Sequence, residues 1–202
     1  MKVGKAGRRP YRMSARATAA AATGERILEA AAEVFYEKAE LPLDDVARRA
    51  GVTVQTVIRR FGGREGLFSA ALERESRRVG DQRDTAPVGD VEAAVRVLLD
   101  HYEAYGDKVL TLLALEERSP AAAQVVRQGR LLHRAWCERV LAPALAGLDD
   151  QPRAKRLAQL VAVTDVYTWK LLRRDAGLSR DDVELALREL LDPLLVGRCY
   201  RS

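Results

Sequence analysis

The chain has 202 residues, 48% hydrophobic and 31% charged, a balance that supports a buried core and excludes a disordered polymer. No stretch of about 18 uncharged apolar residues occurs, which excludes a membrane-spanning helix, and no apolar segment follows the basic start, so no secretion signal is expected; a cytoplasmic protein without a membrane partner is expected. The net charge of +5 is uneven: residues 1–83 carry 17 basic and 11 acidic side chains, whereas residues 84–202 carry 17 and 18, an excess that fits a nucleic-acid-binding head or, equally, a solubilising surface.

Residues 1–22, with Lys2, Lys5, Arg8, Arg9, Arg12 and Arg16, read as a flexible basic arm. From Thr23, a suitable N-cap, Ile27, Ala31, Val34 and Phe35 recur at the spacing of an amphipathic helix. Pro42 opens a short second helix with Asp44 and Asp45 in its first turn and Val46, Ala47 and Ala50 inward, ended by Gly51. Thr53 caps a third helix reaching about Phe61. Gly62 and Gly63 break it, and a fourth carries Leu67, Phe68, Ala71 and Leu72. These elements make a candidate helix-turn-helix domain over residues 23–80.

The polar stretch 81–89, with Pro87, is the expected linker, and residues 90–202 the second domain. There Val91, Ala94, Val95, Leu98, Leu99 and Tyr102 keep helical spacing, and Val109 to Leu115 predicts a separate short helix. Ser119-Pro120 opens a long helix to Leu141. Two long helices over about 153–176 and 180–196 close the chain, with Gly177 between them and Ser179–Asp182 as a capping box. Pro193 is expected to kink or end the last one. Asp165, inside an apolar run, would pair across an interface or mark its edge.

The third helix carries the chemistry. Side chains step by about 100° per residue, which places Val54, Val57, Ile58 and Phe61 in one apolar sector and Gln55, Thr56, Arg59 and Arg60 on the opposite side. That outward set matches base edges and phosphates in a major groove: Arg to guanine, Gln to adenine, Thr to phosphate or a thymine methyl. Gln55 and Thr56, nearest the helix start, are expected to read bases, Arg59 to share both roles, and Arg60 to hold phosphate.

In this segment the chain resembles the TetR family. DDVARRAGVT, QTVIRRF and GGREGLF keep register with that family's DDIA-x-x-AGV-[ST], TLY-x-HF and SKEEL-like signatures over about 45 residues, Ile27 to Leu72. The resemblance places the reading threonine at Thr56, the cap at Thr53 and a backbone-anchoring basic residue at Arg64. It implies an all-α fold of about nine helices: an N-terminal three-helix helix-turn-helix domain and a C-terminal helical ligand-binding and dimerisation domain. Ile58 stands where the family has a phosphate-touching tyrosine, and Arg60 where it has histidine or tyrosine. Leu41-Pro42-Leu43 replaces hydroxyl residues ahead of the second helix.

The last two helices are apolar over more than one face and must bury two sides. Leu160, Val163, Tyr167, Leu171, Leu187, Leu190 and Leu194 are therefore expected at a homodimer contact. Tyr102, Tyr105, His133, Trp136, Cys137 and Trp169 are candidates to line a cavity for a small-molecule effector. His133 and Cys137 share ligand spacing, but no further ligands accompany them, so no metal is assigned. No hydrolase elbow, P-loop or dinucleotide fingerprint occurs, so neither an enzyme nor a cofactor is expected. The expected function is a sequence-specific regulator, a repressor binding double-stranded DNA as a homodimer and released by a small molecule. The alternative is a helical small-molecule-binding or scaffold protein with a head that does not read DNA.

Overall fold

The computed structural model describes residues 8–195, with side chains from residue 18, and no strand occurs among them. Lys2 and Lys5 lie outside the described residues, as do the side chains of Arg8, Arg9, Arg12 and Arg16. The chain divides into two compact units, Met1–Glu75 and Ser76–Ser202.

The first unit is built on α1 (Arg8–Lys38). The arm and the cap expected at Thr23 are corrected here: the helix runs back to Arg8, and the Thr23 hydroxyl donates to the Ala19 carbonyl at 2.9 Å. Four alanines at 19–22 carry the helix through, having the best helix propensity of any residue. Its buried stripe of Ile27, Ala31, Val34 and Phe35 packs on α2 (Leu43–Ala50), α3 (Val54–Phe61) and the start of α4 (Arg64–Arg83), which bring Val46, Ala47, Ala50, Val57 and Leu67. Pro42 stands at the N-cap of α2 rather than inside its first turn. Gly66 is required at the α3–α4 corner, since a Cβ there would overlap the Phe61 carbonyl oxygen.

The second unit begins inside α4, not at the expected 81–89 linker, because Arg83 and Ala86 are buried in that unit. Its core joins α5 (Val91–Ala114), α6 (Pro120–Val140), a 3-10 turn (Ala142–Leu145), α7 (Asp150–Val163), α8 (Val166–Lys170) with a π-type turn (Leu171–Asp175), and α9 (Arg180–Leu195). Two expectations are corrected. Val109 to Leu115 is not a separate helix but the end of α5. Gly106 lies within that helix, where a Cβ would overlap the Trp169 ring. The helix expected over 153–176 is interrupted after Val163: the Thr164 hydroxyl turns back to the Leu160 carbonyl at 2.7 Å, and Asp165 caps α8 by accepting from the Tyr167 amide at 2.9 Å. Asp165 is thus a helix cap. The Ser119 cap and the Ser179–Asp182 pair form as expected, the Asp182 amide donating to Ser179 Oγ at 3.1 Å. Pro193 lies inside α9, which is described as far as Leu195.

Candidate nucleic-acid interface

The turn between α2 and α3 is fixed by backbone geometry. Gly51 takes φ 66°, the left-handed conformation glycine tolerates without a Cβ penalty, and the Val52 amide closes back on the Ala47 carbonyl at 2.9 Å. Thr53 then starts α3, its Oγ1 accepting from the Thr56 amide at 3.2 Å and lying 3.0 Å from the Thr56 hydroxyl. Thr53 therefore orders the helix start, and holds Thr56 beside it. Gly62, at φ 79°, ends the helix.

On this short helix Val57 is fully buried, Val54 and Phe61 are half-buried, and Gln55, Arg59 and Arg60 are exposed with Thr56 partly so. Ile58 departs from expectation: it is 38% exposed and stands at the border of the polar face, because the covering helices seal a narrower sector than the apolar residues span. Arg60 lies against α1 where Gly24 leaves room; a Cβ on Gly24 would overlap its guanidinium. Ala20, Thr23, Thr56, Arg59 and Arg60 line a concavity of ≈ 410 Å³ on this face. The share of α1 in that wall was hidden in the sequence by the misplaced start of the helix.

Charge pairing separates the arginines of the head. Arg49 on α2 donates to both carboxylate oxygens of Glu37 at 2.8 Å, and Arg48 and Lys38 both bond Asp45. Those bonds hold the Asp45 and Glu37 carboxyls below their usual range, the larger causes being Lys38 and Arg49 respectively. Arg59, Arg60 and the exposed Arg64 at the start of α4 make no ion pair among the described residues. The face of α3 thus offers guanidinium groups whose donors are free for phosphate or guanine.

The residues expected elsewhere fall in the second unit. Tyr167 and Leu171 are 51% and 60% exposed and Leu190 is 46% exposed; Val163 and Leu194 are half-buried. Leu160 and Leu187, expected at a subunit contact, lie instead in the unit's own core, while Leu185, overlooked in the sequence, is 49% exposed. Tyr102, His133, Trp136, Cys137 and Trp169 are buried and Tyr105 is half-buried against Arg78. Most of them are tied down: Tyr102 donates to the Thr164 carbonyl at 2.9 Å, Trp136 to the Arg83 carbonyl at 3.0 Å, and Trp169 to Glu103 at 3.2 Å. No helix among the described residues is long and apolar enough to cross a membrane.

Residues 27–71 match the family model of bacterial regulatory proteins, tetR family. Two uncharacterized HTH-type transcriptional regulators from strains of Mycobacterium tuberculosis are 34% identical over 113 residues, 55% of this chain and 51% of theirs. The chain thus spans about half the length of the curated relatives it matches. In fold it is similar to a transcriptional regulator of Rhodococcus sp. Rha1, with TM-score 0.63 and 23% identity over 86% of this chain and 96% of that one. It is also similar to the fatty acid degradation regulator FadR of Bacillus halodurans, with TM-score 0.54 and 20% identity over 87% and 99%. A third likeness is to NalD, the secondary repressor of the MexAB-OprM multidrug efflux pump in Pseudomonas aeruginosa, with TM-score 0.52 and 22% identity over 91% and 100%.

Proposed function

From a head, residues 27–71, that matches the family model of bacterial regulatory proteins, tetR family, we propose that the protein is a homodimeric transcriptional repressor that binds an inverted-repeat operator and is released by a small molecule. The observation that carries this reading is α3. One side of it is sealed by Val57, and the other presents Gln55, Thr56, Arg59 and Arg60, with neither arginine ion-paired among the described residues.

Two such helices in a symmetric dimer enter successive major grooves about one helical turn, or a multiple of it, apart. Gln55 and Thr56 lie near the helix start and read base edges; Arg59 serves base and backbone; Arg60 and Arg64 hold phosphates. Tyr167, Leu171 and Leu190 supply exposed apolar surface for the second copy, with Val163 and Leu194 half-buried. Exposed large apolar side chains on the terminal helices are explained by burial against an equal partner. The effector binds among the helices of the second unit and releases DNA by preferring a conformation whose heads no longer match the operator, which requires different affinities for the two states.

Selection of bound fragments from random duplex DNA tests the reading. Enrichment of an inverted repeat is the expected result. Salt-sensitive binding with no enriched motif would refute it in favour of a small-molecule-binding or scaffold protein whose head does not read sequence. Gln55→Ala should then relax preference at a single base position in each half-site, by about 1–3 kcal/mol.

A further inference from the structure

The second unit buries a positive charge that no described residue neutralises. Arg83, the last residue of α4, is 5% exposed. Its Nη1 donates to His133 Nδ1 at 2.9 Å, and its guanidinium carbon lies 5.5 Å from the Trp136 ring centre and 5.8 Å from that of Tyr102. Its Nε is buried without a hydrogen-bond partner. Among the described residues no carboxylate comes within 4.0 Å of it. Asp84, next to it in sequence, pairs with Arg139, and Glu103, next to Tyr102, pairs with Arg173 at 2.9 Å, while Asp165, whose charge is felt at Tyr102 and Cys137, caps α8 by accepting from the Tyr167 amide.

The side chains around the guanidinium are neutral. His133 Nδ1 accepts from Arg83, so its proton sits on Nε2, 3.2 Å from the Thr164 hydroxyl, which in turn donates to the Leu160 carbonyl at 2.7 Å. Burial first, and the Arg83 charge second, push His133 and His101 down to about 3, and burial pushes the Cys137 thiol up to about 11. Aromatic faces offset part of the desolvation of a guanidinium, but a buried charge without a counter-charge is strongly unfavourable.

We propose that Arg83 is the anchor for the carboxylate of an anionic organic ligand held within the second unit. The Nε and Nη2 hydrogens share one edge of the guanidinium and are spaced to meet two carboxylate oxygens at once. On that edge Nε is buried with no partner, while Nη1 is committed to His133 and Tyr102 also takes a side-chain hydrogen bond from the guanidinium. A single carboxylate brings the buried charge to zero, whereas a dianionic phosphate would leave a net negative charge among Tyr102, Trp136 and Cys137. The regulatory meaning of the site rests on the effector reading above and deepens it to a chemical class. Because α4 is one helix with Leu67 in the core of the head and Arg83 in that of the second unit, a ligand at Arg83 acts on an element that both units share.

The test uses the full chain and no DNA. Thermal melting and titration calorimetry are run with sodium benzoate and sodium octanoate, with their neutral amides, and with sodium chloride and sodium phosphate at matched ionic strength. A saturable rise in Tm with a carboxylate, absent with its amide and with the inorganic anions, supports the proposal. Arg83→Met should melt no lower than the wild type without ligand and should lose the rise. Arg83→Lys keeps the charge but not the two-donor edge, and should bind at least about tenfold more weakly. The proposal is overturned if neither acid gives a saturable rise, if chloride or the amides give the same rise, or if Arg83→Lys binds as the wild type does. A rise that persists in Arg83→Met overturns it as well, and so does a ligand-free Arg83→Met that is strongly destabilised, which would make Arg83 a structural residue. Operator selection is read separately, so failure of the carboxylate site leaves the DNA reading standing, and the reverse.

Discussion

Replacing Arg60 by alanine tests both the groove-facing role of α3 and the symmetry of the complex. Each phosphate that is no longer neutralised by a side chain flattens the dependence of log affinity on log salt by about 0.9. A homodimer with two equivalent heads gives up two arginine–phosphate pairs per substitution, so the slope should flatten by about 1.8. Between about 50 and about 200 mM salt, that difference narrows the gap between wild type and variant by about twelvefold, whereas a single pair per complex would narrow it only about 3.5-fold. Fluorescence anisotropy on a labelled duplex at several salt concentrations measures both slopes. Arg49→Ala is the matched control, because its guanidinium is already committed to Glu37 on α1 and should leave the slope unchanged. If Arg49→Ala flattens the slope as much as Arg60→Ala, or Arg60→Ala leaves it intact, the assignment of phosphate partners by ion-pair status is wrong.

Three further outcomes follow from the geometry. Thr53→Ala removes the acceptor at the start of α3 and should lower stability by about 1 kcal/mol in thermal melts, with a weaker operator complex because Thr56 loses its neighbour. Gly66→Ala drives a methyl into the Phe61 carbonyl and should lower stability by about 1–3 kcal/mol, and a variant as stable as wild type would mean the α3–α4 corner is looser than it looks. His101 and His133 are held near about 3 in the native state, so below about pH 6.5 the unfolded chain binds protons that the folded core refuses. Stability is complete above that pH and should fall toward pH 3 by up to about 1.4 kcal/mol per unit for each histidine; urea titrations at pH 7 and pH 4.5 should show a smaller loss for His133→Gln, and equal losses would refute the burial argument.

The parts of the fold legible in the sequence were those set by local chemistry. Gly51, Thr53 and Gly62 act on their own backbone and on residues within one turn, so the bounds and outward face of α3 followed from spacing alone. The misreadings came from competition between signals of similar strength. Thr23 is a good cap, but four preceding alanines make continuing the helix favourable, and the hydroxyl bonds backward instead. Val109 to Leu115 belongs to α5 because the helix continues through Gly106, where the Trp169 ring, 63 positions later in sequence, fills the space a side chain would take. Thr164 and Asp165 broke a helix with no glycine or proline because both side chains satisfy backbone groups in place of the helix ladder. Arg83 sat in a polar stretch that looked like a linker, and only the packing of α5 and α6 around it buries it.

Arginine identity says little in a chain this rich in arginine; its pairing says more. From Val46 to Arg64 the sequence has no acidic residue, so Arg59 and Arg60 have no acid nearby in sequence and Arg64 has only Glu65, while Arg48 and Arg49 find partners in Asp45 and in Glu37 on α1. An exposed unpaired arginine stands in water at little cost, so its meaning comes from its setting: a helix start, a sealed reverse face and two more cations alongside. A buried one is different. Desolvation alone makes Arg83 unfavourable, and the groups that touch it are neutral, so the folded chain carries a charge imbalance that a bound anion would relieve. The two sites therefore select different partners by the same rule. The open face of α3 suits a polyanion that replaces its water and counterions, and the enclosed Arg83 suits a ligand with one negative charge and an apolar body.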